Sequence, residues 1–360
     1  MANELRIGVI GCGAIHGNHC DSLQRTKGGK LAAVCDVLSE KAQAAGAKFG
    51  VTAVSSLDEL WPLVDAVTVC VPSGDHAKIG VEAAKRGKHV LTEKPVDIKL
   101  GPATALADAC DQAGVVGACV SQHRFAHDIQ QLRDAAQGGG LGRLIQGDAY
   151  IKWYRTQAYY DSGDWRGTWA LDGGGCLMNQ GVHYVDMLQW VMGGVKSVQA
   201  QVRTAAHDIE VEDIATALLE FDNGAIGVLV GSTSAYPGIS ERLEVHGTGG
   251  SVFVEADKIK TWETIDVGGE TGPYGRGITK QPVPNLELMG EEEAASGASD
   301  PSAIWGEQHF LQIQDFIDAV HEGRKPMLSC REALEPLKVI LAVYESARMD
   351  GARVKTADVS

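Results

Sequence analysis

Short apolar runs alternate with helical stretches through the first third of the chain. Leu5-Arg6-Ile7-Gly8-Val9-Ile10 reads as a buried strand that ends in Gly11-Cys12-Gly13, and residues 14–27 follow with helical periodicity. Further strands are predicted at 31–35, 66–71, 89–92 and 115–120, with helices over 75–86 and 100–112 between them. Uninterrupted apolar strands joined by crossover helices predict a parallel sheet covered on both faces.

From about residue 125 the pattern changes. Longer runs with polar alternation at 144–153, 195–205, 213–221, 225–234, 242–246 and 251–255 predict a large, mostly antiparallel sheet with one covered face. Asp222-Asn223-Gly224 and Gly247-Thr248-Gly249-Gly250 lie where tight turns would join such strands, since Asn and Gly accept positive φ. Residues 264–302, rich in Gly, Pro and Glu, are expected to form a long surface loop. Helical periodicity returns over 308–321 and 331–348. The fold class is therefore α/β: a doubly wound parallel sheet in a domain spanning 1–122, then an α/β domain spanning 123–360 with an open-faced sheet.

Composition adds exclusions. A chain of 360 residues has room for two domains, at ~150 residues each. A formal net charge of -15 with 44% hydrophobic residues describes an acidic globular protein that repels phosphate backbones, so nucleic acid is not an expected partner. No basic leader with an apolar core opens the sequence, and no apolar run approaches the ~20 residues that cross a bilayer. A cytoplasmic protein with no membrane partner is expected. The eight cysteines contain no Cys-x-x-Cys pair and read as reduced core residues. No histidine or acidic cluster has metal-ligand spacing, and no metal is expected.

The chemistry-bearing residues cluster at strand ends. Gly11-Cys12-Gly13 lets the chain turn sharply and aim a helix amino terminus at a pyrophosphate, although His16 stands where the usual third glycine would be. Asp36 ends the next strand about 20 residues on, the distance of the acidic residue that takes the adenosine ribose hydroxyls. A 2'-phosphate would meet its charge there, which favours NAD over NADP. Taken alone, Asp36 also fits a solvated strand end. In Val90-Leu91-Thr92-Glu93-Lys94-Pro95, Lys94 follows the carboxyl end of a strand, where ligands of parallel sheets bind. Pro95 restricts Lys94 to extended geometry and permits a cis bond. Pro72-Ser73 forms a similar loop beside the expected cofactor.

Asn179, His183 and Asp186 recur at i, i+4 and i+7, one face of a helix, just after Gly173-Gly174-Gly175. An imidazole titrates near neutrality, so His183 suits accepting a proton from an alcohol as hydride leaves. Asp186 could orient His183 or pair elsewhere. The aromatic-rich stretch from Trp153 to Trp169 fits sugar stacking and subunit contacts equally.

Taken together, Gly11-Cys12-Gly13, Thr92-Glu93-Lys94-Pro95-Val96 and Gly173-Gly174-Gly175 with Asn179-Gln180-Gly181-Val182-His183 resemble the glucose-fructose oxidoreductase / inositol dehydrogenase / MocA (Gfo/Idh/MocA) family over nearly the whole chain. The resemblance implies a Rossmann domain and an open-sheet α/β domain that oxidise or reduce a sugar or cyclitol carbon with NAD(H) or NADP(H), without a metal. It makes Lys94 the substrate-binding lysine and His183 the acid/base. Many members carry Asp where this chain has Asn179, so Asn179 is expected to orient substrate by hydrogen bonds. Cofactor contacts are implied at Gly11, Gly13, Ala14, Ile15, Asp36, Pro72 and Ser73. They are implied also at His76, Glu93, Lys94, Gln122, Trp165 and Arg166.

Asn179, Trp165-Arg166 and Gly297-Ala298-Ser299-Asp300-Pro301 are similar to the branch that oxidises nucleotide-linked N-acetylglucosaminuronate at C3. The expected activity is an NAD-dependent dehydrogenase of a secondary hydroxyl on a sugar, sugar derivative or cyclitol. A keto-inositol or anhydro-sugar reductase and a non-enzymatic dinucleotide sensor are the alternatives. An open sheet face implies a homodimer or homotetramer.

Overall fold

The computed structural model describes residues 4–239, 241–265 and 306–360, and the backbone of 279–280. The first sheet has six strands, β1 (Leu5–Ile10), β2 (Gly29–Cys35), β3 (Thr52–Val54), β4 (Ala66–Val69), β5 (His89–Thr92) and β6 (Gly117–Cys119), in the order β3-β2-β1-β4-β5-β6. Every neighbouring pair is parallel. The order reverses between β1 and β4, which opens a crevice beyond their carboxyl ends. Crossovers run through α1 (His16–Leu23), α2 (Ser39–Phe49), the single turn α3 (Leu57–Leu60), α4 (His76–Lys85) and α5 (Leu100–Ala113). The strands are nearly all buried, β4 throughout, which explains why they read as continuous apolar runs.

After β6 a tight 3-10 turn, Gln122–Phe125, leads into α6 (His127–Gln137) and the second sheet. Its strands are β7 (Leu144–Lys152), β8 (Val195–Arg203), β9 (Ile214–Phe221), β10 (Ile226–Ser232), β11 (Arg242–Gly247), β12 (Gly250–Glu255), β13 (Lys258–Ile265), β14 (Thr279–Lys280) and β15 (Val354–Lys355). The order is β14-β13-β12-β11-β7-β10-β9-β8-β15, antiparallel except for the β7–β10 pair. Between β7 and β8 lie the short α7 (Gln157–Tyr160), a π-helix at Cys176–Gly181 and α8 (Val182–Met192). The expected turns are present: Gly224 takes φ 85 in the β9–β10 hairpin, and Gly247 pairs with Gly250 in the β11–β12 hairpin. Along β9 burial alternates, and Leu218 is left exposed on the outer face.

The long loop begins later than the sequence reading has it. The surface loop was expected from residue 264, yet Thr264 and Ile265 complete β13 because Thr264 pairs with Gly250 and continues the hairpin register. The rest of that loop, with the 297–301 run, lies outside the described residues except for Thr279 and Lys280, which pair with β13.

The last helices are α9 (Glu307–Glu322) and α10 (Leu334–Arg348). α10 packs beside α8 and β8 on the covered face of the second sheet. α9 instead returns to the first sheet: Ile313, Phe316 and Ile317 join the core cluster of Leu5, Ile7 and Val9. Its Gln312 accepts from the Ser121 amide at 2.9 Å and donates to the Cys119 carbonyl at 2.8 Å. Truncating Phe316 to Ala should therefore lower global stability, by about 3–5 kcal/mol for a buried aromatic. Denaturant unfolding measures it, and a loss below about 1 kcal/mol would show that α9 is not part of the first core.

Candidate active site

At the crevice, Gly11 has φ 93, and a Cβ there would lie 2.6 Å from the Cys70 carbonyl oxygen, so only glycine makes this turn. Gly13 has open space around it, which leaves its backbone free for close approach by a ligand. Ala14 is exposed and Ile15 half-buried between Gly13 and α1, whose start has no side-chain cap. Its first N–H groups are thus open to an anion. Asp36 sits at the end of β2, its carboxylate accepting from the amides of Cys12 and Leu38, each at 2.8 Å. These bonds hold it against the glycine turn with lone pairs remaining for a diol. The residues present fit a dinucleotide whose ribose carries free hydroxyls.

Lys94 follows β5, and the peptide bond to Pro95 is cis. The Lys94 Nζ crosses to the second sheet's side and donates to the backbone carbonyl of Asn179 at 2.7 Å. Burial pulls its pKa below the ordinary lysine value, while the Glu93 and Asp172 carboxylates oppose that shift. Beneath it, Glu93 accepts from His19 Nε2 at 2.8 Å, and His309 Nε2 lies 3.9 Å from the same oxygen. Burial works against the Glu93 charge, yet His19, His309 and Lys94 hold its pKa down at about 2.

The carbonyl that receives Lys94 belongs to the π-helix, whose start is built by Gly173-Gly174-Gly175 and Glu212. The buried Glu212 side chain accepts from the amides of Gly175 at 2.8 Å and Leu177 at 3.0 Å and from the Tyr344 hydroxyl at 2.8 Å. A Cβ on Gly175 would lie 1.8 Å from the Glu212 carbonyl oxygen, so the chain can pass here only as glycine. π-Turns are frequent at functional sites. This one also breaks the simple helical spacing: His183 and Asp186 lie in α8, but Asn179 lies in the wider turn before it.

Lys94, Ser121, His183 and Asp186 line one small cavity together with Leu328 and Leu337. His183 is 5% exposed, and its ring makes no hydrogen bond among the described residues. Burial, reinforced by His123, Lys94 and His309, drives its pKa well below the usual histidine value. It is therefore neutral near pH 7 and ready to accept a proton.

Of the two roles open to Asp186, orienting His183 or pairing elsewhere, the structure has the second: both its oxygens take the Arg124 guanidinium, at 2.6 and 2.7 Å, and Ser121 Oγ donates to it at 2.6 Å. A bidentate guanidinium outcompetes an imidazole for a buried carboxylate. The Asn179 amide is likewise committed, its Nδ2 donating to Asp172 Oδ1 at 2.7 Å. His76 is turned inward, with Nδ1 at 2.7 Å from the Pro95 carbonyl and Nε2 at 2.9 Å from the Val71 carbonyl, and so ties the two crevice loops together. Ser73 is buried and Pro72 half-buried on one of those loops, whose Gly74 amide donates to the Leu171 carbonyl at 2.9 Å. Gln122 is buried with its Oε1 unpartnered. Arg166 stacks over Trp165 at 4.6 Å and Tyr159 at 4.4 Å, and donates to the Tyr159 hydroxyl.

The sequence reading missed His123, Asp172, Tyr159 and His19, the buried partner of Glu93. Strand-end logic points to His123, which follows β6 as Lys94 follows β5. Asp172, in a loop, and Tyr159, in the short α7, meet the cleft only through the fold.

Fold and crevice define an NAD-dependent oxidoreductase. Residues 5–122 match the oxidoreductase family with an NAD-binding Rossmann fold, and residues 129–253 match the GFO/IDH/MocA C-terminal domain. The chain belongs to the GFO/IDH/MocA family. It is similar to the WlbA dehydrogenase of Bordetella pertussis solved with NADH and UDP-GlcNAcA, with 32% identity, 98% of each chain covered and a TM-score of 0.86. The WlbA enzyme of Chromobacterium violaceum, also solved with NADH and UDP-GlcNAcA, is 31% identical, with coverage of 98% of this chain and 96% of that one and a TM-score of 0.83. The myo-inositol 2-dehydrogenase of Thermotoga maritima is 28% identical over 74% of this chain and 80% of its own length.

Asn179→Asp tests the Asp172 contact, since it would set two carboxylates in hydrogen-bond contact. Each raises the other's folded-state pKa, so the variant matches its parent best below about pH 4 and falls behind as pH rises, by about 1–3 kcal/mol. Thermal midpoints at several pH values read this, and Asp172→Asn in the same chain should restore the parent behaviour. A pH-independent difference would contradict the contact.

Proposed function

We propose that the protein oxidises a secondary hydroxyl of a sugar, sugar derivative or cyclitol, with His183 as the base and Lys94 as the group that holds the reacting oxygen. The observation that carries this is the meeting of Lys94 and His183 on one cavity, the first from the parallel sheet and the second from α8. NAD, when bound in the crevice, supplies the hydride acceptor. As hydride leaves the carbon, a ring nitrogen of His183 takes the hydroxyl proton, and the product is a ketone. The Lys94 ammonium donates to the oxygen throughout, stabilising the negative charge that develops on it. Asn179 contributes through its backbone carbonyl, which aims Lys94, and through its Oδ1, which is left to accept from substrate.

On this reading residues 1–122, with α9 packed on their sheet, form the cofactor domain, and the rest of 123–360 forms the substrate domain. Gly11, Gly13, Ala14, Ile15 and Asp36 hold the adenosine and pyrophosphate half. Pro72, Ser73, Glu93, Lys94, Gln122, Trp165 and Arg166 face the nicotinamide half. A nucleotide-linked uronate is the favoured candidate substrate, because the similarity to the UDP-GlcNAcA-bound WlbA dehydrogenase spans 98% of the chain. The eight free, buried cysteines suit a reducing, cytoplasmic setting. Among the described residues no helix is long and apolar enough to cross a membrane. Leu218, 61% exposed, and Ile226, 64% exposed, lie on adjacent strands of the open sheet face, which fits a homodimer or homotetramer formed there.

Replacing Lys94 or His183 by Ala should reduce turnover by about 10²–10⁴-fold or more while NAD binding persists. An NAD-coupled absorbance screen over UDP-linked uronates, inositols and anhydro-sugars measures it. Unchanged turnover in either variant would remove the assignment. Light scattering should report two or four chains, and a monomer would leave the open face without its proposed cover.

A further inference from the structure

The imidazole of His183 has no carboxylate in contact, yet a second imidazole stands against it. His123, in the turn after β6, places its ring centroid 4.7 Å from that of His183 with the planes at 54°. Its Nδ1 meets Asp257 Oδ2 at 2.5 Å. Asp257 belongs to the β12–β13 hairpin, held at φ 61, and its other oxygen accepts from the Tyr184 hydroxyl at 3.3 Å. Both rings are buried, His123 at 8% and His183 at 5% exposure.

Two cationic rings this close would repel strongly in a poorly solvated setting. One proton is therefore shared out between two unequal places. The charged groups that face His183 are Lys94 after β5, His309 on α9 and His123 itself, all cationic when protonated. Those that face His123 include two carboxylates, Asp257 and Glu241, besides Lys94. The positive charge belongs on His123.

We propose that His123, held as an imidazolium by Asp257, is a positioning residue that keeps the neighbouring His183 neutral and so fixes it as a proton acceptor. The proposal rests on the reading of His183 as the base. Burial alone would lower the His123 pKa, but Asp257 and Glu241 outweigh it and raise it, in agreement with the geometry. The plainer reading is a structural staple that ties the turn after β6 to the β12–β13 hairpin. A staple would affect stability without setting the charge state of His183.

Histidine titration in the full-length protein separates the two. Selective ¹⁵N-histidine labelling follows each ring, with His183→Gln and His123→Asn supplying the assignments. In the parent, His123 should be cationic and His183 neutral across about pH 6–8. In Asp257→Asn, His123 should lose its charge in that window and the His183 midpoint should rise by about one pH unit or more. If Asp257→Asn does not fold, His123→Phe keeps the ring contact without the charge and should give the same upward shift. A neutral His123 in the parent, or a His183 midpoint unmoved in the folded variant, overturns the proposal. The measurement needs no substrate, so it is independent of whether His183→Ala abolishes turnover.

Discussion

The hydrogen bond from Lys94 Nζ to the Asn179 carbonyl is the constraint on which the site depends. It joins the end of a strand in the parallel sheet to a turn in the second half of the chain. A buried ammonium is costly unless its donors are met, and here a backbone carbonyl meets one while Glu93 and Asp172 supply opposing charge. The carbonyl is available because the chain widens into a π-turn. That turn is itself held by Glu212 and by glycines that admit no side chain. The cleft is thus set by backbone geometry first and side chains second.

Around that bond the titratable groups divide by role. Glu93 is kept ionised beneath Lys94 by His19, whose own charge is opposed by burial but supported by Cys70 and Glu93, up to a pKa of about 10. No carboxylate pairs with the His183 ring among the described residues, and burial keeps it neutral. Asp186, adjacent in space on the same helix, is fully occupied by Arg124 and Ser121. A general base needs to be unprotonated at the working pH and unencumbered by strong partners, and His183, the histidine that lines the cavity with Lys94, meets both conditions.

Much of this was legible from the sequence because it follows from local rules. Strands buried on both faces read as apolar runs, as in β1 and β4. Gly224 declares its hairpin through positive-φ chemistry, while Gly247 in the next hairpin is needed for close approach, since a Cβ there would lie 2.0 Å from the Leu141 carbonyl oxygen. Lys94 was singled out by its place after a strand and His183 by its helical neighbours, and the fold brings the two to one cavity. What stayed hidden depended on distant contacts. Nothing local marks Asp257 as the partner of His123, since the two meet only when the β12–β13 hairpin folds over the turn after β6. The i, i+4 reading of Asn179 failed for a similar reason: the widened turn is enforced by Glu212, far along the chain, and no periodicity encodes it. His76 looked like a crevice residue by position, whereas two backbone carbonyls claim its ring.

A crystal structure of the NAD complex bears most directly on the central claim. The account predicts that the reactive face of the nicotinamide opens onto the space between Lys94 Nζ and the His183 ring, with the ribose diol at Asp36. A nicotinamide that points away from this pair, or one that leaves either side chain walled off from its C4 carbon, would contradict it.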